Sequence, residues 1–184
     1  INVARMIRDL SLNDLLKGKS RIERLSIKYS QPIWIVRKFI EILGDEAELL
    51  FKRFNKPFPI WVRVNTLKIS REELIRKFRR LNIDAREDIH FPDLIRIDRL
   101  KIGLEHFPDY RRGAFYIQDK SSLCVGHILK NYMFNSILDM CSAPGGKISH
   151  LTQLIGNKGF ILAFDISSRR ILSEKALLKR LDIS

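Results

Sequence analysis

The amino-acid sequence predicts an α/β fold in two parts: a helical region with a small β-α-β unit, then the first half of a doubly wound parallel sheet. The 184 residues are 45% apolar, which is enough to bury a core. Two stretches of alternating, β-rich sequence flank an amphipathic helix in the middle of the chain. From residue 114 onward, helical segments alternate with short apolar strands, the order typical of a parallel sheet with crossover helices.

The N-terminal part predicts three helices before the β-α-β unit. The first covers residues 1–28. The second follows Pro32, a residue suited to a first helical turn, and ends at Gly44, the usual residue just past a helix. The third is short and ends at Asn55. The β-α-β unit then consists of a strand, a helix and a strand at residues 61–65, 70–81 and 94–97.

The composition changes near Gly113, where charges become fewer and small residues more frequent. We therefore predict two domains, residues 1–113 and residues 114–184. The second should contain a helix at 119–132, a strand at 136–140, a loop at 141–146, a helix at 147–155, a strand at 160–164, and a last helix that Ser167 or Ser168 caps and that extends to Leu181. Buried strands connected in this way form a parallel sheet.

The charge of the chain indicates a polyanionic partner. Its formal net charge is +13, of which +9 lies in residues 1–113 (25 basic and 16 acidic side chains). A basic thermophile surface is the alternative, but such surfaces usually gain Glu together with Lys. We expect a nucleic acid. Candidates for an RNA-facing surface, or else for a solvated helix face, are Arg63, Arg76, Lys77, Arg79 and Arg80.

The two cysteines, Cys124 and Cys141, lack the spacing of a metal site, so we predict no bound metal and a reducing compartment. The four histidines are scattered, and His150 is assigned no role. No apolar run approaches the roughly 20 residues that span a bilayer, and no signal peptide opens the sequence. The expected location is the cytoplasm.

The loop after the first strand of the second domain, DMCSAPGGK (139–147), is the candidate cofactor site. A phosphate-binding GxxxxGK[ST] loop would need glycine at 141 and Ser or Thr at 148, where the chain has Cys141 and Ile148. The dinucleotide pattern GxGxxG is also absent. Gly145-Gly146 alone would fit a tight turn, but Asp165 follows about 20 residues later, as a ribose-binding acid would. Ribose without pyrophosphate indicates S-adenosylmethionine.

Four segments of the chain resemble one known family. ILDMCSAPGGK (137–147) resembles motif I, DMCAAPGGK, of the RsmB-like (Sun/Fmu) family of RNA cytosine-5 methyltransferases. YIQDKSS (116–122) is similar to its QDxxS segment, and YSQPIW (29–34) and VRVNTL (62–67) to its YSxPxW and RVNTLK stretches. Ser142 replaces the usual Ala, which keeps the loop narrow.

The resemblance implies a Rossmann-like class I methyltransferase sheet, S-adenosylmethionine as cofactor, and ribosomal or transfer RNA as substrate. It also implies an RNA-recognition-like subdomain ahead of the catalytic domain. The residues it assigns to the cofactor are Cys141, Ser142, Ala143, Pro144, Gly145, Gly146, Lys147, Asp165, at the ribose, and Arg170.

The resemblance further implies that a cysteine thiolate adds to C6 of cytosine, after which C5 takes the methyl group. The family's catalytic cysteines lie on later strands, so the nucleophile is expected beyond Ser184 and the 184 residues alone are expected to be inactive. Cys124, between Leu123 and Val125, should be a buried, inert thiol. The alternative function is that of a non-catalytic RNA-binding or adaptor protein with a degenerate cofactor fold.

Overall fold

The computed structural model describes residues 11–100, 103–132 and 136–183, and the chain divides between Phe58 and Pro59 into two compact units. The first part of the helix predicted over residues 1–28 lies outside the described residues. Within the described ranges, no helix is both long and apolar enough to cross a lipid bilayer.

The unit before Pro59 is helical, as predicted, but the helix predicted over residues 1–28 is interrupted within the described residues, where the backbone is extended at Lys17 and at Ser20. Its helices in the described range are α1 (Leu12–Leu16), α2 (Arg21–Tyr29), α3 (Ile33–Leu43) and α4 (Ala47–Phe54). A capping box between Ser20 and Glu23 begins α2, and Gly44 with φ +58° ends α3. Pro32 is the N-cap of α3 rather than part of its first turn. The buried core of this unit consists of Leu25, Tyr29, Val36, Ala47 and Phe51.

The second unit opens with a four-stranded antiparallel sheet in the order β2-β3-β1-β4. Its elements are β1 (Ile60–Val64), α5 (Arg71–Arg80), β2 (Ala85–Glu87), β3 (Leu94–Ile97), a short helix α6 (Pro108–Arg111) and β4 (Phe115–Ile117). The predicted β-α-β unit is thus present as β1, α5 and β3. The prediction missed β2 and β4, which are only three residues long and too short for an alternating pattern to be visible.

Alternation along β1 puts its apolar and polar side chains on opposite faces of the sheet. Val62 and Val64 face α5, which buries Leu74 and Phe78 against them in one core. Ser70 caps α5 by accepting a hydrogen bond from the backbone N–H of Glu73, as the sequence predicts. The other face of the sheet carries Arg63 toward the rest of the unit.

The rest of the second unit is a βα segment with two parallel strands. Its elements are α7 (Lys120–Leu129), β5 (Ser136–Asp139), α8 (Gly146–Leu154), β6 (Phe160–Ala163) and α9 (Ser168–Leu181). β5 and β6 pair in parallel, with Leu138 opposite Leu162, so the predicted parallel connection is confirmed. Ser167 is the N-cap of α9. Every predicted boundary in this segment lies within three residues of the observed one.

The antiparallel sheet and the βα segment are joined by direct hydrogen bonds. The Asn65 side-chain amide donates to the carbonyl oxygens of Gly113 (2.9 Å) and Leu181 (2.8 Å). The predicted division at residue 113 stays a prediction. On that division β4 falls in the second domain, although it pairs with β1 of the first.

Candidate functional site

The loop between β5 and α8 is tied to the end of β6. The backbone N–H and the hydroxyl of Ser142 both donate to the carbonyl oxygen of Phe164, at 2.9 and 3.2 Å. The backbone N–H of Cys141 donates to Oδ1 of Asp139 at 3.0 Å. Ser142 and Ala143 are buried, whereas Cys141 is exposed. The loop therefore has a fixed path with little side-chain bulk.

Both glycines of the loop lie close to side chains of other elements. Gly145, the N-cap of α8, has φ +105°, and a Cβ there would lie 3.0 Å from Cγ of Glu174. A Cβ at Gly146 would lie 3.3 Å from Cε1 of Tyr116, across a cleft. Small residues thus let another element, or a ligand, approach the first turn of α8, whose first backbone N–H groups have no acceptor within the helix.

Replacing Gly145 with alanine is expected to lower the free energy of unfolding by about 1–3 kcal/mol, because the alanine would take a strained backbone conformation and press on Glu174. Urea denaturation measures the effect. The matched control is Gly156→Ala, since Gly156 also has positive φ (+66°) but has open space around its Cβ position. Equal losses in the two variants would contradict the packing argument.

The structure brings Asp165 and Arg170 to the same loop at Ala143. The Asp165 side chain is fully buried (0% exposed). Its Oδ2 accepts from the backbone N–H of Ala143 at 3.2 Å, and its Oδ1 accepts from that of Ser167 at 3.0 Å. Arg170 contacts Oδ1 of Asp165 at 3.4 Å and also donates to the carbonyl oxygen of Ala143. These residues form one hydrogen-bonded group.

A cleft of about 270 Å³ lies between the loop and the segment 116–122. One wall is the loop and the start of α8, including Pro144, Gly146 and Lys147, and the other is the segment 116–122. Lys147 is exposed at this cleft. The seven predicted residues 141–147 therefore form the loop and the start of α8. The cleft is lined by residues 142–144, 146 and 147, and its lining does not include Asp165 or Arg170.

Arg63 does not belong to an exposed RNA-facing surface, contrary to the prediction. It is 1% exposed, and its guanidinium donates to Oε1 of Gln118 (2.7 Å), the carbonyl oxygen of Gly146 (2.8 Å) and Oγ of Ser149 (2.8 Å). Burial lowers the pKa of Arg63 to about 10. The sequence places Arg63 on the face of β1 opposite the core, but that face is covered by α8.

A second buried cluster contains His150, a residue to which the sequence assigns no role. Asp93 accepts hydrogen bonds from Nε2 of His127 (2.7 Å) and Nε2 of His150 (2.9 Å), and Nε2 of Gln153 approaches at 3.4 Å. We call these four residues the Asp93 cluster. It connects the start of β3 with α7 and α8.

Three members of the Asp93 cluster also have the composition of a metal site, since ligand atoms of Asp93, His127 and His150 lie within 4.8 Å of one another. Their hydrogen bonds satisfy the carboxylate without an ion. The predicted absence of a metal stays a prediction.

The free energy of unfolding is expected to fall as the pH drops from 7.5 to 5. Burial lowers the pKa of His150, and its bond to Asp93 offsets only part of that shift, while Arg63 and His127 lower it further. The unfolded chain, with an ordinary histidine pKa of about 6.5, then binds more protons than the folded chain in this range. The stabilisation by neutral His150 is therefore present above pH 6.5 and lost below it.

Urea denaturation over this pH range, with His150→Gln beside the exposed control His106→Gln, measures the effect. The pH slope should become shallower only in His150→Gln. An unchanged slope in that variant would assign the dependence to other groups.

Two further predictions differ from the structure. Cys124 is half-buried on α7 rather than buried. Lys77 is not a free cation: its Nζ lies 2.9 Å from Oδ1 of Asp109 and 3.6 Å from Oε1 of Glu73. Arg76, Arg79 and Arg80 on α5 are exposed, as predicted.

Two family models match the chain. One, the ferredoxin-like domain of RsmF/B-like methyltransferases, matches residues 31–101. The other, 16S rRNA methyltransferase RsmB/F, matches residues 127–184. Together they cover most of the antiparallel sheet and the whole of the glycine loop, α8 and α9. Both agree with the resemblance found in the sequence.

The chain is similar to curated proteins and to a solved structure that are named as methyltransferases or a methyltransferase homolog. Ribosomal RNA small subunit methyltransferase B of Proteus mirabilis is 29% identical over 163 residues, which cover 89% of this chain and 38% of that protein. The 26S rRNA (cytosine-C(5))-methyltransferase nsun-1 of Caenorhabditis elegans is 31% identical over 164 residues, 87% of this chain and 24% of that protein. The crystal structure of a methyltransferase homolog protein from Pyrococcus horikoshii superposes with a TM-score of 0.76 at 26% identity, covering 90% of this chain and 54% of that one.

Proposed function

Because this chain belongs to the RsmB/F-like family of methyltransferases, we propose that it provides the S-adenosylmethionine-binding part of an enzyme that methylates C5 of cytosine in ribosomal or transfer RNA. The observation that carries the proposal is the glycine loop at the N-terminus of α8, which forms one wall of the 270 Å³ cleft. The cofactor supplies the methyl group in this reaction. The chain's own residues bind the cofactor and fix its orientation.

The loop residues fit such a ligand. Gly146 leaves the approach to the first turn of α8 free of side-chain atoms, and a Cβ there would narrow the space toward Tyr116. The backbone N–H groups of that turn can donate to the carboxylate of the cofactor's amino-acid portion. The exposed ammonium of Lys147 adds positive charge at the same cleft. In this proposal Cys141–Lys147 contact the cofactor mainly through the backbone.

Asp165 is proposed to accept hydrogen bonds from the ribose hydroxyls. For this, the Arg170 side chain must move away from the Asp165 carboxylate. Of the contacts to Oδ1 of Asp165, the one from Arg170 is the longest, 3.4 Å against 3.0 Å from the backbone N–H of Ser167. Arg170 is also about half exposed, so it can turn toward solvent without leaving a buried gap. A ribose hydroxyl would replace it as the donor to the carboxylate.

Neither cysteine of the chain is proposed as the nucleophile. Cys141 belongs to the loop that we propose holds the cofactor, and its side chain is not among those that line the cleft. Cys124 lies on α7, outside the residues that line the cleft. We therefore propose that these 184 residues bind the cofactor and RNA but do not transfer a methyl group.

Calorimetry with S-adenosylhomocysteine tests the cofactor site. Asp165→Asn is expected to weaken binding by about 1–3 kcal/mol, because it removes the negative charge and leaves one oxygen instead of two to accept from the ribose hydroxyls. The loss should shrink for the 2′,3′-dideoxy analogue of the ligand, which has no ribose hydroxyls. The exposed Asp182→Asn is the control. A wild-type chain that binds RNA but not S-adenosylhomocysteine would instead favour the adaptor function.

A methyl-transfer assay tests the assignment of the cysteines. The purified chain is incubated with labelled S-adenosylmethionine and unmodified RNA containing cytosine, and no transfer is expected. Transfer that disappears in Cys124→Ser would show that Cys124 is the nucleophile after all.

A further inference from the structure

Arg63 joins three separate parts of the second unit around the cleft. From β1 its guanidinium reaches Gly146 and Ser149 on α8, and Gln118 on the opposite wall. The Tyr116 ring lies 5.4 Å from the guanidinium carbon. Gln118 in turn donates to Oγ of Ser122 at 3.2 Å, so the second wall is fixed through the same arginine. One buried side chain thus links the two walls directly.

The charge of Arg63 has no direct counter-ion. Its three hydrogen-bond acceptors are neutral, and no carboxylate within the described residues lies at salt-bridge distance. Asp93 stabilises the charge only from farther away, and Nε of Arg63 has no hydrogen-bond partner. Burying a positive charge in this way is costly unless a negative group comes near. The guanidinium is nevertheless protonated at neutral pH, since its pKa is about 10.

Two further charged side chains, those of Asp119 and Lys147, line the cleft. Oδ1 of Asp119 accepts hydrogen bonds from the backbone N–H and the hydroxyl of Ser121 and so caps α7. Lys147 and the N-terminal end of α8 add positive potential. The wall formed by Gly146 thus has two positive groups near it, Arg63 bound to the Gly146 carbonyl oxygen and Lys147 lining the cleft, while Asp119 puts a negative charge on the opposite wall.

We propose that Arg63 is a positioning and specificity-determining residue, whose buried charge makes the cleft select the carboxylate-bearing end of the cofactor's amino-acid portion. This inference rests on the proposed function. Arg63 itself does not touch the ligand. It holds Gly146 and Gln118 at the distance the ligand needs, and a carboxylate bound at the first turn of α8 supplies the negative charge that Arg63 lacks.

The test compares three ligands by calorimetry: S-adenosylhomocysteine, its decarboxylated analogue, which keeps the amine, and 5′-methylthioadenosine, which lacks the whole amino-acid portion. The wild-type chain should bind S-adenosylhomocysteine at least about tenfold more tightly than the decarboxylated analogue. Arg63→Gln should remove most of that preference, and it should weaken 5′-methylthioadenosine, which has no carboxylate, no more than Arg63→Lys does. Arg63→Lys, which keeps the charge, should retain the preference while weakening all three ligands.

Several outcomes would overturn the proposal. The proposal is wrong if the wild-type chain binds S-adenosylhomocysteine no more tightly than the decarboxylated analogue, and no variant is needed to show this. If Arg63→Gln lowered the affinity for all three ligands equally, Arg63 would have only a structural role. If the preference for the carboxylate were lost in Lys147→Met but kept in Arg63→Gln, Lys147 would be the residue that selects the carboxylate. Failure of the wild-type chain to bind any of the three would instead contradict the proposed function itself.

Discussion

Replacing Asp93 with alanine is expected to lower the free energy of unfolding by about 2–5 kcal/mol. The change leaves the Nε2–H groups of His127 and His150 and the amide of Gln153 without their acceptor, in a site from which water is largely excluded. Each buried donor without a partner costs about 1–3 kcal/mol. Urea denaturation at pH 7.5, where both histidines are largely neutral in the unfolded chain, measures the loss.

Two matched variants define the cause of that loss. Asp93→Asn keeps the shape and one acceptor oxygen, so it should cost less than Asp93→Ala. Asp84→Ala removes an exposed carboxylate that pairs with Arg86, and exposed pairs contribute little. If Asp93→Ala and Asp84→Ala lowered stability equally, the Asp93 cluster would not hold β3 to α7 and α8.

Reversing three arginines of α5 is expected to weaken RNA binding by more than about tenfold at low salt. Arg76, Arg79 and Arg80 are exposed on this helix and can pair with phosphates, whereas Lys77 already pairs with Asp109. Releasing condensed counterions makes the logarithm of affinity fall with the logarithm of salt concentration by about 0.7 per contact on single strands. The triple change to glutamate should therefore reduce the salt slope by about 2 as well.

The measurement is fluorescence anisotropy with a labelled single-stranded RNA between 50 and 200 mM salt. The control reverses Arg169, Lys175 and Lys179 on α9, which are exposed and carry the same charge. Equal losses in the two triple variants would mean that only the total charge matters. A wild-type affinity that did not change with salt would contradict phosphate binding.

Local patterns in the sequence predicted most elements of the fold, because a helix such as α5 begins at a strong cap, Ser70, and a strand such as β6 is a continuous apolar run. The glycine loop was predicted for a similar reason, since its restrictions are imposed by small residues within one short segment. Strands β2 and β4 were missed because three residues carry no clear period.

The parts that could not be predicted depend on contacts between distant residues. Arg63 alternates with valines along β1, which is the pattern of a surface position, and its burial follows only from the packing of α8 on that face. His150 meets Asp93 across 57 positions of sequence, and His127 joins them from a third element. No spacing along the chain indicates such a cluster.

The outward face of the two parallel strands has a consequence for the behaviour of the chain in solution. Leu138, Phe160 and Leu162 lie side by side there, 57%, 61% and 44% exposed, with Met140 and Phe164 just beyond the strand ends. A patch of this kind favours self-association, while the net charge of +13 keeps copies of the chain apart. Added salt screens that repulsion without weakening the apolar attraction. The ionic strength that releases RNA should thus also drive the chains together, so colloidal stability and RNA affinity should be highest in the same dilute buffers.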